Sequence, residues 1–454
     1  MKTINYILGI GLVFLFGGCS KFLEEKSDKK LAVPSTIKDL QALMDDISQG
    51  AQTAFESEVS TDDYYVKETD LVSQPESEQA MYRWSKELPN DDLNGLGWQY
   101  GYKEVYNCNL VLDGIDGLGP EARNSISAKD VMGQALIKRG AAMLAMAEIW
   151  TLGYDLKNLN SPYGLPIRKN TNFNEKSIRS TLGETYSFIE EDLIKAKDLL
   201  PAKSISKYRP TKAAAYGYLA RLYLYKNDFI NAARLADSCI YFHGGKLLDF
   251  GTLDYKKRYG MPLPETNPEV IYIRGLASPF ILGQTIAKIS PDLLNQYADN
   301  DHRKFLFFYS NSDGSMRFKG SYRGSAGPFS GISLNEMYLI KMESYLRTNN
   351  LEPAKVVAYD FIKNRYNLSD SDNKLSIDAL SKDELLNLTL MERRKELLMQ
   401  GLRWSDVKRL NKMGYNLGLQ RYGSTMKLPA NDLRFALPIP QRVIDVTGLL
   451  ENER

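Results

Sequence analysis

An apolar pattern of helical period, present twice in matched form, constrains this chain more than any other feature. Residues Thr211 to Tyr241 place Tyr216, Leu219, Ala220 and Tyr223 at i, i+3, i+4 and i+7, the spacing of one helix face. Asn227-Asp228 interrupts the pattern, and an aspartate there suits the N-cap of a following helix. Ala232, Ala236 and Cys239 form a second face, whose small side chains let two antiparallel helices approach closely. Residues Leu334 to Tyr366 repeat the arrangement, with Tyr338, Met342 and Tyr345 on a first helix and Ala354, Ala358 and Phe361 on a second. Tyr216 and Tyr338 stand 122 residues apart, as do Ala232 and Ala354. Lys341 replaces the apolar residue seen at Leu219, so the second copy is the weaker.

The pair spacing resembles a tetratricopeptide repeat, but the offset is far longer than one repeat and excludes a simple tandem array. Further helices are expected around the two pairs. Ala135 to Leu152 is apolar on most faces and therefore deeply buried. Thr185 to Leu200 carries Phe188, Ile189, Leu193, Ala196 and Leu200 on one side and is stopped by Pro201. Trp98, Tyr102, Val105 and Tyr106 form an aromatic helix face followed by Asn107 and Asn109. Between the pairs, residues 242–333 are rich in Gly, Asp, Asn and aromatics, and only the alternating stretch from Glu269 to Arg274 predicts a strand. The expected fold is mainly α: repeat-like helix pairs form a scaffold, and the loop-rich excursion over 242–333 faces a ligand, since loops on a rigid frame carry binding surfaces.

Composition removes several functions. Lysine plus arginine (58) nearly cancels aspartate plus glutamate (56), and a net charge of +2 gives no reason to bind nucleic acid. Two histidines and three cysteines make neither a multi-histidine metal site, a four-cysteine site nor a disulfide framework, so no metal or cofactor is expected. Cys108 and Cys239 fall within helices and read as buried free thiols. The 28 tyrosines, 17 phenylalanines and 4 tryptophans suit polar ligands with apolar faces, and equally suit helix interfaces.

The chain opens with Lys2, an apolar run from Ile4 to Phe16 interrupted by Asn5, and Gly17-Gly18-Cys19-Ser20. This order describes a secretory signal over residues 1–18, too short to span a membrane. A cysteine directly after two glycines resembles a bacterial lipobox, which makes Cys19 the expected site of lipidation. The alternative is a plain secretory signal with a structural cysteine. Residues 19–30 are polar and charged and read as a tether.

No catalytic residue is expected. The charged block from Glu392 to Arg409 reads as a helix packed through Leu397, Leu398 and Trp404 and locked to the scaffold by ion pairs. Asp301-His302-Arg303 reads as structural, with no serine or cysteine in a nucleophile motif for His302 to activate. The pairs Asp62-Asp63 and Asp91-Asp92 say nothing about the separation across a cleft that glycoside hydrolysis needs. For ligand binding, Thr61-Asp62-Asp63-Tyr64-Tyr65 and Tyr82-Arg83-Trp84 combine aromatics with hydrogen-bonding groups. Tyr64, Tyr65 and Trp84 are the expected stacking residues and Asp63 and Arg83 their polar partners; burial against the scaffold is the alternative for each aromatic.

Several segments, in order, resemble the SusD/RagB family of outer-membrane nutrient-binding lipoproteins. They are Cys19-Ser20-Lys21-Phe22-Leu23-Glu24-Glu25; Trp98 with Tyr102, Tyr106 and Asn109; Tyr186, Ile189, Asp192-Leu193, Ala196 and Leu200-Pro201; Thr211-Lys212; and Asp301-His302-Arg303. The most specific part is Glu392-Arg393-Arg394-Lys395-Glu396-Leu397, then Gly401 to Arg409, then Leu437-Pro438-Ile439-Pro440. The resemblance implies one α-helical domain over 19–454 with four repeat-like helix pairs, lipid-anchored at the outer membrane and facing the cell surface. It implies binding of an oligosaccharide or peptide without chemistry, and a partner in a SusC-type TonB-dependent transporter. The alternative is a helical scaffold lipoprotein that binds protein partners only.

Overall fold

The helix pairs are present and extend into one continuous stack. The computed structural model describes residues 34–46, 52–53, 55–91 and 93–454; the expected signal segment, Cys19 and the tether over 19–30 lie outside them. The principal helices are α1 (Ile37–Asp45), α2 (Leu96–Asp116), α3 (Ile126–Trp150), α4 (Leu182–Leu199), α5 (Lys212–Tyr225), α6 (Phe229–His243), α7 (Leu334–Arg347), α8 (Leu351–Ile362), α9 (Lys382–Glu396), α10 (Arg403–Lys412) and α11 (Gln441–Thr447). From α2 to α8 each helix packs on the one before it, α1 lies across α2 and α3, and α9 covers α7.

Local chemistry explains these elements. Ser125 caps α3 by accepting the Ala128 N–H, and residues 133–144 are all buried, as a helix apolar on most faces requires. Thr181 and Glu184 form a capping box at the start of α4, and Pro201 follows its end. Asp228 caps α6 by accepting the Asn231 N–H at 3.1 Å. The turns of the two matched pairs share a device: Asn227 and Asn349 both adopt positive φ, at 58° and 61°, which asparagine tolerates better than most residues. These two asparagines also stand 122 residues apart.

Although residues 244–333 separate them in sequence, α6 and α7 pack directly together. The chain is not a tandem array, yet its helices form an unbroken stack from which the excursion loops out. Lys341, the departure in the second copy, pairs with Asp237 of α6 at 2.5 Å, so this position exchanges an apolar contact for an ion pair across the α6–α7 seam. Ala232, Ala236 and Cys239 are fully buried, and Cys108 and Cys239 are both buried free thiols.

The excursion holds short strands: β1 (Val270–Tyr272), β2 (Phe308–Ser310), β3 (Met316–Phe318) and β4 (Ile332–Ser333). β1, inside the expected stretch, pairs antiparallel with β4, while β2 and β3 form a hairpin. All three β1 residues are buried, so exposure does not alternate along the strand. Gly331 lets β4 approach: a Cβ there would lie 1.9 Å from the Tyr272 carbonyl oxygen.

The charged block forms a buried ionic cluster. Arg303 donates to Asp301 at 2.8 Å, Glu392 at 2.5 Å and Glu396 at 2.9 Å; Arg365 reaches Glu269 and Glu396; Lys395 reaches Asp301 and Glu392. All seven side chains are excluded from solvent. Burial pushes the Glu396 and Asp301 carboxyls up, but for Glu396 the guanidinium groups of Arg365 and Arg303 outweigh it, and for Asp301 Arg303 and Lys395 do. Glu269 goes the other way, because burial outweighs Arg365. The Tyr322 hydroxyl lies 2.7 Å from Glu269 and 2.6 Å from Glu396. One hydroxyl proton cannot serve both contacts at once, and three cations face four carboxyl groups in the cluster. A second cluster joins Glu343 to Arg409 and Arg347, each at 2.8 Å, and Asp406 to Arg409 and Arg393. The expected locking ion pairs are therefore present.

Two predictions follow from this packing. Gly331→Ala will destabilise the protein by about 1–3 kcal/mol, because the obstructing atom is backbone and cannot rotate away; a lower urea midpoint measures it. The second concerns pH. Burial raises the Glu343 carboxyl, but Arg409 and Arg347 win and bring it down from 4.5 to about 2. Its stabilisation, roughly 3 kcal/mol, is complete above 4.5 and is lost as pH falls through about 2. Glu58 has the opposite sign: burial and the Asp63 charge raise it from 4.5 to about 8, so it costs stability as pH rises across that interval. Unfolding free energy measured against pH should have a shallower acid-side slope in Glu343→Gln and a shallower decline above pH 4.5 in Glu58→Gln.

Candidate functional site

Four of the five expected binding side chains turn out to be committed within the protein. Asp63 is 1% exposed and accepts from Arg394 at 2.8 Å. Tyr64 is 0% exposed, and its hydroxyl donates to the Val59 carbonyl at 2.7 Å. Trp84 is 3% exposed, and its indole N–H donates to the Ser60 carbonyl at 2.9 Å. Arg83 pairs with Glu68 at 2.5 Å but stays near the surface. Tyr65 is half-buried, its ring 5.1 Å from that of Tyr422.

The two buried aromatics serve an internal cation. Arg421 sits over the rings of Tyr82 at 3.8 Å, Trp84 at 4.5 Å and Tyr64 at 5.1 Å. Its guanidinium donates to the carbonyls of Tyr82, Val59 and Thr61. Trp84 adopts φ of 52°, a sparsely populated conformation for a bulky residue, held here by its indole bond and the stack on Arg421. The exposed aromatic platform expected from Tyr64 and Trp84 is thus corrected to a cage that staples residues 59–84 to the hairpin carrying Arg421. The acidic pairs are also occupied: Asp62 accepts from Arg394 and Arg403, and Asp91 accepts the N–H groups of Ser77, Leu93 and Asn94. Asp92 lies outside the described residues.

A cavity of about 470 Å³ opens where the excursion meets the N-terminal segment and the α4–α5 linker. Tyr100 on α2, Tyr208 from the linker, and Phe280 and Arg323 from the excursion line it, with Phe55 and Glu78 and the backbone of residues 275–278. Gly95, at φ of 82°, starts α2; a Cβ there would lie 2.5 Å from Pro440, so glycine permits the close approach that sets the helix and Tyr100 in place. Glu78 accepts the N–H groups of Phe280 at 3.1 Å and Ile281 at 2.7 Å, and so fixes the turn that presents Phe280. Burial raises the Glu78 carboxyl against these two bonds. Phe280 is 67% exposed, and the Tyr208 hydroxyl donates to Glu265 at 2.9 Å. The half-buried Arg323 guanidinium forms no ion pair among the described residues, leaving its donors for a ligand. Aromatic faces beside free donors match a sugar ring, which offers C–H faces to stack and hydroxyls to satisfy.

A second cavity, of about 280 Å³, lies against Trp98, Tyr102, Tyr106, Phe173, Val443 and Leu449. Its polar neighbours are occupied: Asn109 donates to the carbonyls of Arg168 and Asn170, Tyr102 to that of Pro166, and Thr171 to Asp113. Walls that are mostly apolar fit a sugar less well. Among the described residues, no group of three or more His, Cys, Asp or Glu is placed to hold a metal ion, and no helix is long and apolar enough to cross a membrane.

Sequence reasoning passed over Tyr100, Tyr208, Phe280 and Arg323. For Tyr100 a signal existed: it stands two residues from Trp98 and therefore off the aromatic face of Trp98, Tyr102 and Tyr106. For the other three, only the folded chain brings them together.

Stacked helix pairs carrying a loop-built, aromatic-lined cavity define a helical binding scaffold. A family model described as starch-binding and associating with the outer membrane matches residues 21–224, and a SusD family model matches residues 319–452. The chain belongs to the SusD/RagB family. Its fold is similar to a SusD superfamily protein from Bacteroides thetaiotaomicron, with TM-score 0.76 and 21% identity over 92% of this chain and 100% of that one. A SusD superfamily protein from Bacteroides fragilis gives TM-score 0.74 and 19% identity over 92% and 99%. A SusD-like carbohydrate binding protein from Bacteroides vulgatus gives 0.67 and 16% over 91% and 97%. No curated relative matches the chain.

The cage yields a prediction that separates scaffold from ligand site. Arg421→Lys cannot span three carbonyls, and the loss should lower stability by about 1–3 kcal/mol in urea unfolding. Ligand affinity of the folded protein should stay unchanged.

Proposed function

We propose that this protein binds a nutrient oligosaccharide at the bacterial outer membrane, in the cavity lined by Tyr100, Tyr208, Phe280 and Arg323, and passes it unaltered to a SusC-type TonB-dependent transporter. One observation carries this reading: the cavity joins the exposed Phe280 and the half-buried Tyr100 and Tyr208 to a guanidinium with no ion pair among the described residues, on a rigid helical frame. Family membership and the sugar-binding description of one structural neighbour agree with it. Lipidation at Cys19 and a tether over 19–30 would hold one domain, residues 19–454, at the membrane. The scaffold binds and releases without chemistry, a reading supported by the engagement of Asp62, Asp63 and Asp91 in ion pairs or backbone contacts.

The test is calorimetric titration of the purified protein against neutral glycans and peptides. At least one neutral glycan should bind without product formation. Tyr100→Ala and Phe280→Ala should each weaken that binding by up to about tenfold while leaving the melting temperature in place. Cleavage of the ligand, binding of peptides alone, or unchanged affinity in both variants would overturn the assignment.

A further inference from the structure

We propose that a cationic cradle around Tyr309, separate from the 470 Å³ cavity, binds the sulfate or carboxylate group of an acidic oligosaccharide. This rests on the glycan-binding reading above and adds the charge of the ligand to it.

The β2–β3 hairpin sets Tyr309 opposite Arg317. The Arg317 guanidinium lies 5.6 Å from the centre of the Tyr309 ring and the Lys319 ammonium 4.9 Å from it. The Tyr309 hydroxyl donates to the Arg258 carbonyl, and Lys319 donates to the Tyr255 carbonyl at 2.8 Å. These two bonds tie the exposed loop bearing Lys256, Lys257 and Arg258 to the same ring. The hairpin tip is fixed in turn by Asp313, which pairs with Lys67 at 2.7 Å.

Arg317 and Lys319 thus flank the Tyr309 ring, and the loop carrying Lys256, Lys257 and Arg258 is tied to the same ring through its backbone, with the Arg258 guanidinium over Tyr259; none of the five forms an ion pair among the described residues. Asp254 acts on Lys319 through its charge without pairing with it. The Arg317 Nε atom is buried with no acceptor among the described residues. Other arginines are paired, since Arg303, Arg365 and Arg409 each meet two or more carboxylates, while Arg421 directs its donors to three carbonyls. Like charges drawn together without a counter-charge are unfavourable by Coulomb's law, and an incoming anion removes that cost. The planar guanidinium of the half-buried Arg317 suits the oxygens of a sulfate or carboxylate, and the buried Lys319 ammonium behind it adds charge without contact.

The surroundings identify the rest of the ligand. Tyr255 is 55% exposed and Phe305 48% exposed, with ring centres 5.8 Å apart. An aromatic wall beside an anion cradle fits a sugar ring that bears the anionic group. A free inorganic anion would make no use of the wall.

The experiment compares sulfated and unsulfated dextran oligosaccharides of equal length, with inorganic sulfate as a third probe, by calorimetry on the purified protein at low and high salt. The sulfated probe should bind at least about tenfold more tightly than the unsulfated one, with the advantage shrinking as salt rises. The double substitution Arg258→Gln, Arg317→Gln should abolish that advantage, whereas Lys129→Gln, on the exposed first turn of α3, should preserve it. No advantage for the sulfated probe, equal loss in the Lys129 variant, or an advantage intact in the double variant would overturn the proposal. Inorganic sulfate binding as tightly as the sulfated glycan would overturn its glycan part. Failure of every neutral glycan to bind would instead sink the cavity reading, and the sulfated-minus-unsulfated difference would still test the cradle.

Discussion

The structure depends on the buried charges gathered around Glu396. Glu269, Asp301 and Tyr322 come from the excursion, Arg365 from the segment after α8, and Glu392, Lys395 and Glu396 from α9. Removing such groups from water is unfavourable unless nearly every contact is made, so a half-assembled cluster is worse than none. That threshold favours one arrangement of the excursion over all partial ones. It explains how 90 residues with little regular structure, 244–333, can hold a defined shape on a helical stack. Helix geometry then spreads the effect. Successive residues on a helix point about 100° apart. Arg393 therefore reaches Asp406 of α10, and Arg394 reaches Asp62 and Asp63 of the N-terminal segment, while Glu392, Lys395 and Glu396 face the cluster. One turn of helix ties three parts of the chain together.

How much of this was legible in the sequence follows from the range of the interactions concerned. The helix pairs depend on neighbours three and four residues apart, and their faces, caps and turns could be read directly. The buried α3, the stop at Pro201 and the strand near Val270 have the same local origin. The stacking of α6 on α7 has no local signal, because the seam brings together residues more than 90 apart; Lys341 looks like a flaw in the repeat until Asp237 is seen opposite it. The charged block was legible as structural, since its charges sit beside Leu397, Leu398 and Trp404, but its partners were not.

The binding residues show where composition stops being informative. Tyrosine and tryptophan beside polar groups describe a ligand platform and an internal cage equally well. What separates them is Arg421, more than 330 residues from Trp84 in sequence, which fills the space a ligand would have used. Tyr208, Phe280 and Arg323 lie in segments with no periodicity, and their convergence depends on the fold alone. Phe280 owes its exposure to the carboxyl of Glu78, some 200 residues away, holding the turn beneath it.

The excursion uses its basic side chains in two ways, and the contrast explains how one segment can be both fixed and receptive. Arg274 pairs with Glu104 of α2 at 2.6 Å, and Arg303 joins the central cluster; both are buried and ion-paired. Arg258, Arg317 and Arg323 lie closer to the surface and form no ion pairs among the described residues. Paired charges contribute position and unpaired ones retain the capacity to meet a ligand. A loop held by its own surface charges would have to break those pairs to bind. Here anchoring and recognition fall to different residues, so ligand binding need not loosen the frame that presents it.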